Sequence, residues 1–256
     1  MAWDPAIYSA FAQPRLRPAL DLMARIDMQD AARVVDLGCG TGNVTRILKE
    51  RWTNADVIGI DSSPEMLMTA RDHGGGVRYL QADAGAWAEE GGEVDVLFSN
   101  AALHWLDGHE ALFPQLMERV RAGGVLAVQM PHNHYAASHT IMAEAAEAGP
   151  WAALLAPLAR RFPVGDATFY YDLLAPLSSQ VDIWETEYLH VLEGDNPVVT
   201  WTKGTALRPL LAAAEGAWGF GFLAEYSKRI AKAYPPGPDG KTLLPFRRLF
   251  MVARKR

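Results

Sequence analysis

The residues best placed to do chemistry lie in the first third of the chain. Gly38, Gly40 and Gly42 punctuate the run Val35-Asp36-Leu37-Gly38-Cys39-Gly40-Thr41-Gly42-Asn43, and an acid, Asp36, precedes them. An apolar, strand-like stretch enters this run and a helical pattern leaves it. Glycines in such a place let the backbone turn sharply and come close to a ligand. The second acid, Asp61, is expected at the end of the next strand, where a carboxylate can accept both hydroxyls of a ribose. A dinucleotide fingerprint, G-x-G-x-x-G, would put its third glycine at position 43, where this chain has Asn43. A pyrophosphate also prefers a helix N-terminus without a neighbouring carboxylate, whereas a cationic amino acid end suits Asp36. The pattern fits an adenosine that carries an amino acid better than it fits a dinucleotide. A lone glycine loop would be only a tight turn, but here the loop, Asp61 and Asp83 follow one another in order.

The segment from Asp36 to Gly42 resembles the first motif of class I S-adenosylmethionine methyltransferases, and Gly59-Ile60-Asp61 resembles their second. The resemblance implies S-adenosyl-L-methionine as the cofactor. Asp36, Gly38, Gly40 and Gly42 would lie against it. Asp61, with Ser62, would hold the ribose, and Asp83 with Ala84 would face the adenine. Asn100 would sit near the methionine portion. The bland alternative for Asp83 is a helix N-cap. Cys39 reads as a small buried residue of the loop, not as a nucleophile, because no base or basic neighbour is evident.

A narrower resemblance covers residues 3 to about 253. Trp3-Asp4-Pro5-Ala6-Ile7-Tyr8, Tyr170-Tyr171-Asp172, Val181-Asp182-Ile183-Trp184, Leu207-Arg208-Pro209 and Arg248-Leu249-Phe250 are similar to segments of the trans-aconitate 2-methyltransferases. The match weakens around residues 148–168 and 235–241. It implies esterification of one carboxylate of a small tricarboxylate. The chemistry is consistent with that. A carboxyl group has a reference pKa of about 4 and is already an anion at neutral pH, so no catalytic base or metal is required. What is required is alignment of the reacting atoms at about 3 Å, exclusion of water, and cations to hold the other carboxylates. Arg208 and Arg248 are the leading substrate candidates, with Arg17 and Arg247 behind them. Tyr8, Trp105, His132, Asn133 and Tyr170 are candidates for hydrogen bonds and water exclusion. Arg247 and Arg248 would face opposite sides of a strand, so at most one should enter the site. Arg208 could instead solvate a helix end, and Trp105 could be core. The spacing of His132, His134 and His139 matches no familiar metal-ligand pattern.

The elements that must position these residues alternate. Strands are expected at 34–37, 56–61, 77–81, 94–99 and 125–130, with helices at 43–51, 64–72 and 110–121. Short connections between them imply parallel strands with helices on both faces, an α/β Rossmann-like fold with a mostly parallel seven-stranded sheet. Further on, 138–148, 151–161, 205–214 and 220–233 look helical, and 181–192 and 249–253 look like strands. The chain reads as a single domain, with 1–131 as cofactor-binding core. Residues 132–180 and 197–240 are expected to form a helical cap over the carboxyl ends of the strands.

Composition bounds the partners. With 256 residues, half of them hydrophobic, there is enough chain for one large core. The formal net charge of −6 lacks the basic excess of a nucleic-acid binder. The polar-proline-proline-aromatic pattern that grips a flipped base is also absent after Ser99. No apolar run suits a membrane span, and no leader is evident at Met1 to Pro5. One cysteine fits a reducing cytoplasm. The alternatives are a methyltransferase for another small or carrier-bound acid, a nicotinamide dehydrogenase, and a protein that binds S-adenosylmethionine without turnover.

Overall fold

The computed structural model describes residues 12–159, 164–214 and 216–256. Helix α1 (Ala12–Ala24) leads into strand β1 (Arg33–Leu37), helix α2 (Asn43–Arg51), strand β2 (Asp56–Asp61), helix α3 (Pro64–Asp72) and strand β3 (Arg78–Gln81). Helix α4 (Ala84–Glu90), strand β4 (Val94–Asn100), a 3-10 turn (Leu103–Trp105), helix α5 (His109–Arg119) and strand β5 (Val120–Pro131) complete the first half. The second half contains helices α6 (Ala137–Glu147), α7 (Ala152–Leu155) and α8 (Ala167–Leu174), then strand β6 (Ser178–Leu192). Helices α9 (Pro197–Lys203), α10 (Arg208–Ala213) and α11 (Ala217–Ala233) precede the last strand, β7 (Thr242–Lys255). Helix α11 stops one residue before Tyr234, just ahead of Pro235 and Pro236, which cannot continue a helix.

The strands form one seven-stranded sheet in the order β3-β2-β1-β4-β5-β7-β6. The first five pair in parallel, and β7 runs antiparallel to both β5 and β6. The run of buried residues from Val94 to Ser99 in β4 is what a parallel strand covered on both faces requires. One face of the sheet carries Val35, Leu97 and Leu126 against Phe113 of α5 and Tyr170 of α8. The other carries Val34, Val96, Phe98 and Phe250 against α1 and α2. A separate apolar core lies among the helices of the second half, built from Met142, Trp151, Trp201, Phe222 and Tyr226 with Leu244 and Phe246 of β7.

Several boundaries have visible causes. Ser63 accepts the Met66 N–H at 3.2 Å and Pro64 fills the first helical position, so α3 starts where its cap says. The last strand is much longer than the expected 249–253. Thr242, Leu244, Phe246 and Arg248 point inward while Leu243, Pro245 and Arg247 are exposed. Apolar residues on the outer face and an arginine on the inner face hide that alternation in the sequence. The expected helix at 151–161 is shorter, Ala152–Leu155 followed by a 3-10 turn (Ala156–Leu158). Helices α1, α8 and α9 were not anticipated, and α4 entered only through the N-cap reading of Asp83. The seven residues of α4 include only one buried position, too little for a periodic stripe.

Candidate active site

A cavity of about 560 Å³ opens at the carboxyl ends of β1, β2 and β4. Its size is typical of a small-molecule site. Leu37 to Thr41 form one wall, and here glycine is required. Gly38 has φ +80°, and a Cβ on it would fall 2.1 Å from that of Ala102. The loop after β4 can therefore close onto the turn only over a bare backbone. A Cβ on Gly40 would meet nothing within 4 Å, leaving that flank open, and its φ of +54° disfavours any side chain. Gly38 N–H and Cys39 N–H both donate to Ile60 O, at 2.8 and 2.9 Å, which ties the turn to the end of β2.

Asp61 stands at that strand end. Its Oδ2 accepts Gly40 N–H at 2.8 Å and its Oδ1 accepts Ser63 N–H at 2.9 Å. Two backbone donors fix the carboxylate plane and leave each oxygen a further lone pair. Asp36 is buried below the turn and accepts the Thr45 hydroxyl at 2.6 Å. Burial raises its pKa to about 7, with the Thr45 bond opposing that shift and the charge of Asp61 adding to it. Burial likewise pushes the Cys39 thiol far up, so it stays a neutral thiol. Asp83 caps α4, accepting Gly85 N–H at 2.8 Å and Ala86 N–H at 3.1 Å, and also lines the cavity. Ser62, Ala84 and Asn100 line it too. The Asn100 Oδ1 is buried with no hydrogen-bond partner among the described residues. Gly42 is the exception in this group. It does not line the cavity but turns the chain into α2 at φ +73°, where a Cβ would meet the Tyr79 hydroxyl at 2.3 Å.

The opposite wall comes from distant parts of the chain. The antiparallel course of β7 brings its first half to the carboxyl end of β5, where Arg248 pairs with Pro131. Arg248 is 4% exposed and lines the cavity. Its guanidinium lies 4.6 Å from the Phe246 ring centroid and 5.9 Å from that of Tyr188, and its Nη1 donates to Gln129 Oε1 at 3.4 Å. Stacking between rings limits the rotamers of this cation. Arg247 faces the other way, in solvent beside Glu185. Asn133 is buried in the lining, with its Nδ2 unpartnered among the described residues. Trp105 and Arg208 line the cavity from the turn after β4 and from the start of α10. His104 and His139 also line it. Burial lowers the first to about 3, with the Arg248 charge adding, and burial lowers the second to about 4. Both imidazoles are neutral at neutral pH, so the positive charge of this wall belongs to arginine.

Three of the expected substrate residues lie elsewhere. Tyr170 is fully buried against Phe113 and His109, because the inner face of α8 packs on α5. His132 is turned to the outer side of the sheet and pairs with Glu185. Arg17 is exposed, pairs with Asp21 at 3.8 Å and lies over the Tyr188 ring, away from the cavity lining. Tyr8 lies outside the described residues. Sequence reading missed His104, His139, Trp201 and Thr202 as lining residues. His104 alone had a signal, its place after a strand end.

Comparison with known proteins now adds to the geometry. A family described as a methyltransferase domain matches residues 34–124. The trans-aconitate 2-methyltransferase of Azoarcus sp. (strain BH72) is 48% identical over 251 residues, covering 98% of this chain and 98% of that protein. Its counterpart from Rhizobium rhizogenes is 43% identical and covers 100% of both chains. The chain belongs to the trans-aconitate 2-methyltransferase family. Solved structures share its fold at low identity. The YcgJ protein of Bacillus subtilis has a TM-score of 0.59 at 12% identity, covering 94% of this chain and 99% of that one. A Haemonchus contortus phosphoethanolamine N-methyltransferase 2, crystallised with S-adenosyl-L-methionine, has a TM-score of 0.53 at 15% identity and covers 94% of this chain and 53% of that one. Membership of this methyltransferase family sets aside the nicotinamide dehydrogenase reading. Among the described residues, no group of His, Cys, Asp and Glu gathers as a metal would need, and no helix is long and apolar enough to cross a membrane.

The cavity suits the S-adenosylmethionine that this fold implies. Gly40 leaves its flank open, Asp61 offers an oriented pair of acceptors, and Asn100 Oδ1 is a buried acceptor in need of a donor.

Proposed function

We propose that the protein transfers a methyl group from S-adenosylmethionine to one carboxylate of trans-aconitate, giving the monomethyl ester and S-adenosylhomocysteine. When bound, the cofactor supplies an electrophilic sulfonium methyl. The chain's own residues bind, orient and dry the reactants. Asp61 and Ser62 would hold the ribose, Asp83 with Ala84 would hold the adenine, and Asp36, Gly38, Gly40 and Asn100 would hold the amino acid end.

The observation that carries the acid half of this reading is Arg248, a buried guanidinium in the wall of the cavity. A planar fork of donors matches a carboxylate in two places at once. The Asn133 amide supplies a further donor beside it, and Arg208 a second cation at the cavity edge. His104 and His139, neutral and made weakly basic by burial, leave the holding of the anion to arginine, and a carboxylate nucleophile needs no general base. Residues 132–180 and 197–240 would cover the substrate and exclude water. Trp105, at the turn after β4, would close the edge between the two ligands. The lone cysteine suits action in the cytoplasm on a free small molecule.

The direct test is a methyl-transfer assay across trans-aconitate, cis-aconitate, isocitrate and citrate, with product esters identified by mass spectrometry. Cofactor-dependent ester formation with trans-aconitate preferred is expected. Preference for a monocarboxylate or a carrier-bound acid would replace this substrate with another, and production of no ester from any acid would favour a binding protein.

A further inference from the structure

Behind the loop that follows β4 lies a chain of hydrogen bonds whose two side chains, His109 and Tyr170, are buried and do not line the cavity. His109 is 2% exposed and Tyr170 fully buried. The His109 ring links Leu103 O at 3.0 Å through Nε2 and Tyr170 Oη at 2.6 Å through Nδ1. Gly165 N–H donates to the same phenol oxygen at 3.2 Å.

The directions of these bonds follow from their ends. A carbonyl only accepts, so His109 must carry its proton on Nε2. Nδ1 is then an acceptor, and the Tyr170 hydroxyl must donate to it. The phenol oxygen takes the Gly165 N–H on its remaining lone pair. Burial pushes the Tyr170 phenol up and the His109 imidazole down, which keeps both neutral, as this arrangement requires. Phe113 packs edge-on against the His109 ring at 5.2 Å and against Tyr170 at 4.7 Å, so neither ring can swing away.

The far end of the chain is Leu103, in the middle of the segment 101–106, all of which lines the cavity. Several backbone contacts tie that segment down. Ala101 N–H donates to Gln129 O at 2.9 Å, with Ala101 at a strained φ of +54°. Ala102 rests on Gly38, and Leu106 N–H closes the 3-10 turn on Leu103 O at 3.0 Å. The His109 bond occupies the second lone pair of that same carbonyl. It joins the turn to α8 and to the backbone before it.

We propose that this chain sets the position of the 101–106 segment, making His109 and Tyr170 positioning residues for methyl transfer. Its activity readouts rest on the function proposed above. Because Ala102 registers the segment against the glycine turn, both ligand sites should feel its loss.

Tyr170→Phe keeps the ring and removes the hydroxyl. It should lower kcat with trans-aconitate by about tenfold and weaken cofactor affinity several-fold in a protein whose thermal midpoint lies well above the assay temperature. His109→Phe should act similarly, and the double variant should cost no more than the worse single one, since one chain can be broken only once. Long-range proton–nitrogen spectra of labelled wild-type protein, with His109 assigned by its loss in His109→Phe, should show the Nε2–H tautomer. A protonated or Nδ1–H ring would overturn the proposal. So would a Tyr170→Phe variant with a lowered midpoint but native kcat, KM and cofactor affinity, which is the mark of packing alone. If wild-type protein esterified no acid, the substrate reading would fail by itself, and the tautomer and the cofactor affinity would decide the network.

Discussion

The two walls of the cavity are built on different plans. The glycine turn wall is local: residues 36–41 supply it, and Asp61 arrives by one parallel neighbour, β2. Its donors are backbone amides, and its only side-chain charge is negative. The opposite wall is assembled from β7, α6, the region around α9 and α10, and the turn after β4. Its charge is positive and sits on arginines. Local backbone donors give a wall that any chain with this motif reproduces. A wall made of side chains from remote elements can be changed one residue at a time, which is where a shared fold acquires a particular substrate.

The contrast can be broken by substitutions that should affect one wall only. The largest effect is expected from Arg248→Met, which keeps an apolar stem and removes the fork. Its kcat/KM for trans-aconitate should fall by about a hundredfold while cofactor affinity stays within about twofold. Steady-state kinetics and calorimetry on the same preparation check both halves, and a matched loss in both would erase the division of labour. Asp61→Ala should do the reverse, weakening cofactor binding by about tenfold. Loss of the acceptors for Gly40 N–H and Ser63 N–H contributes to that figure, so Asp61→Asn should be the milder variant. Arg208→Ala, at a partly exposed position, should raise the KM for the acid only several-fold. An unaltered KM would remove Arg208 from the wall.

The smallest effect concerns pH. Asp36 is held at about 7 against an ordinary 3.8, so near neutrality it is partly protonated. A cationic ligand beside it favours the ionised form, and affinity should therefore rise as pH passes from 6 to 8. Asp36→Asn should flatten that rise in calorimetric titrations. For folding the sign is opposite. The folded state keeps a proton that the unfolded chain has released, so this group's contribution to stability is lost as pH climbs from about 4 to about 7. His104 and His139, lowered by burial, work against it, since they cost stability as pH falls below 6.5.

How legible each wall was in the sequence follows from the same difference. Strand, glycine turn, capped helix and strand-end acid are contiguous signals. Helices α2 and α3 accordingly run over the expected residues, and Asp36, Gly38, Gly40, Asp61, Ser62, Asp83, Ala84 and Asn100 all line the cavity. Tyr170, His132 and Arg17 were placed by type and resemblance alone, and they point elsewhere. Tyr170 shows why. An aromatic with a polar tip serves equally at a ligand or in a core that supplies one partner, and the partner here, His109, lies far away in the chain.

By itself the sequence determined the parallel half of the sheet and the turn above it, because short-range periodicity, glycine placement and helix caps are written in neighbouring residues. Only the tertiary structure decided which arginine enters the cavity. That choice depends on the register of an antiparallel strand against Pro131, and moving the register by one residue would exchange Arg247 for Arg248.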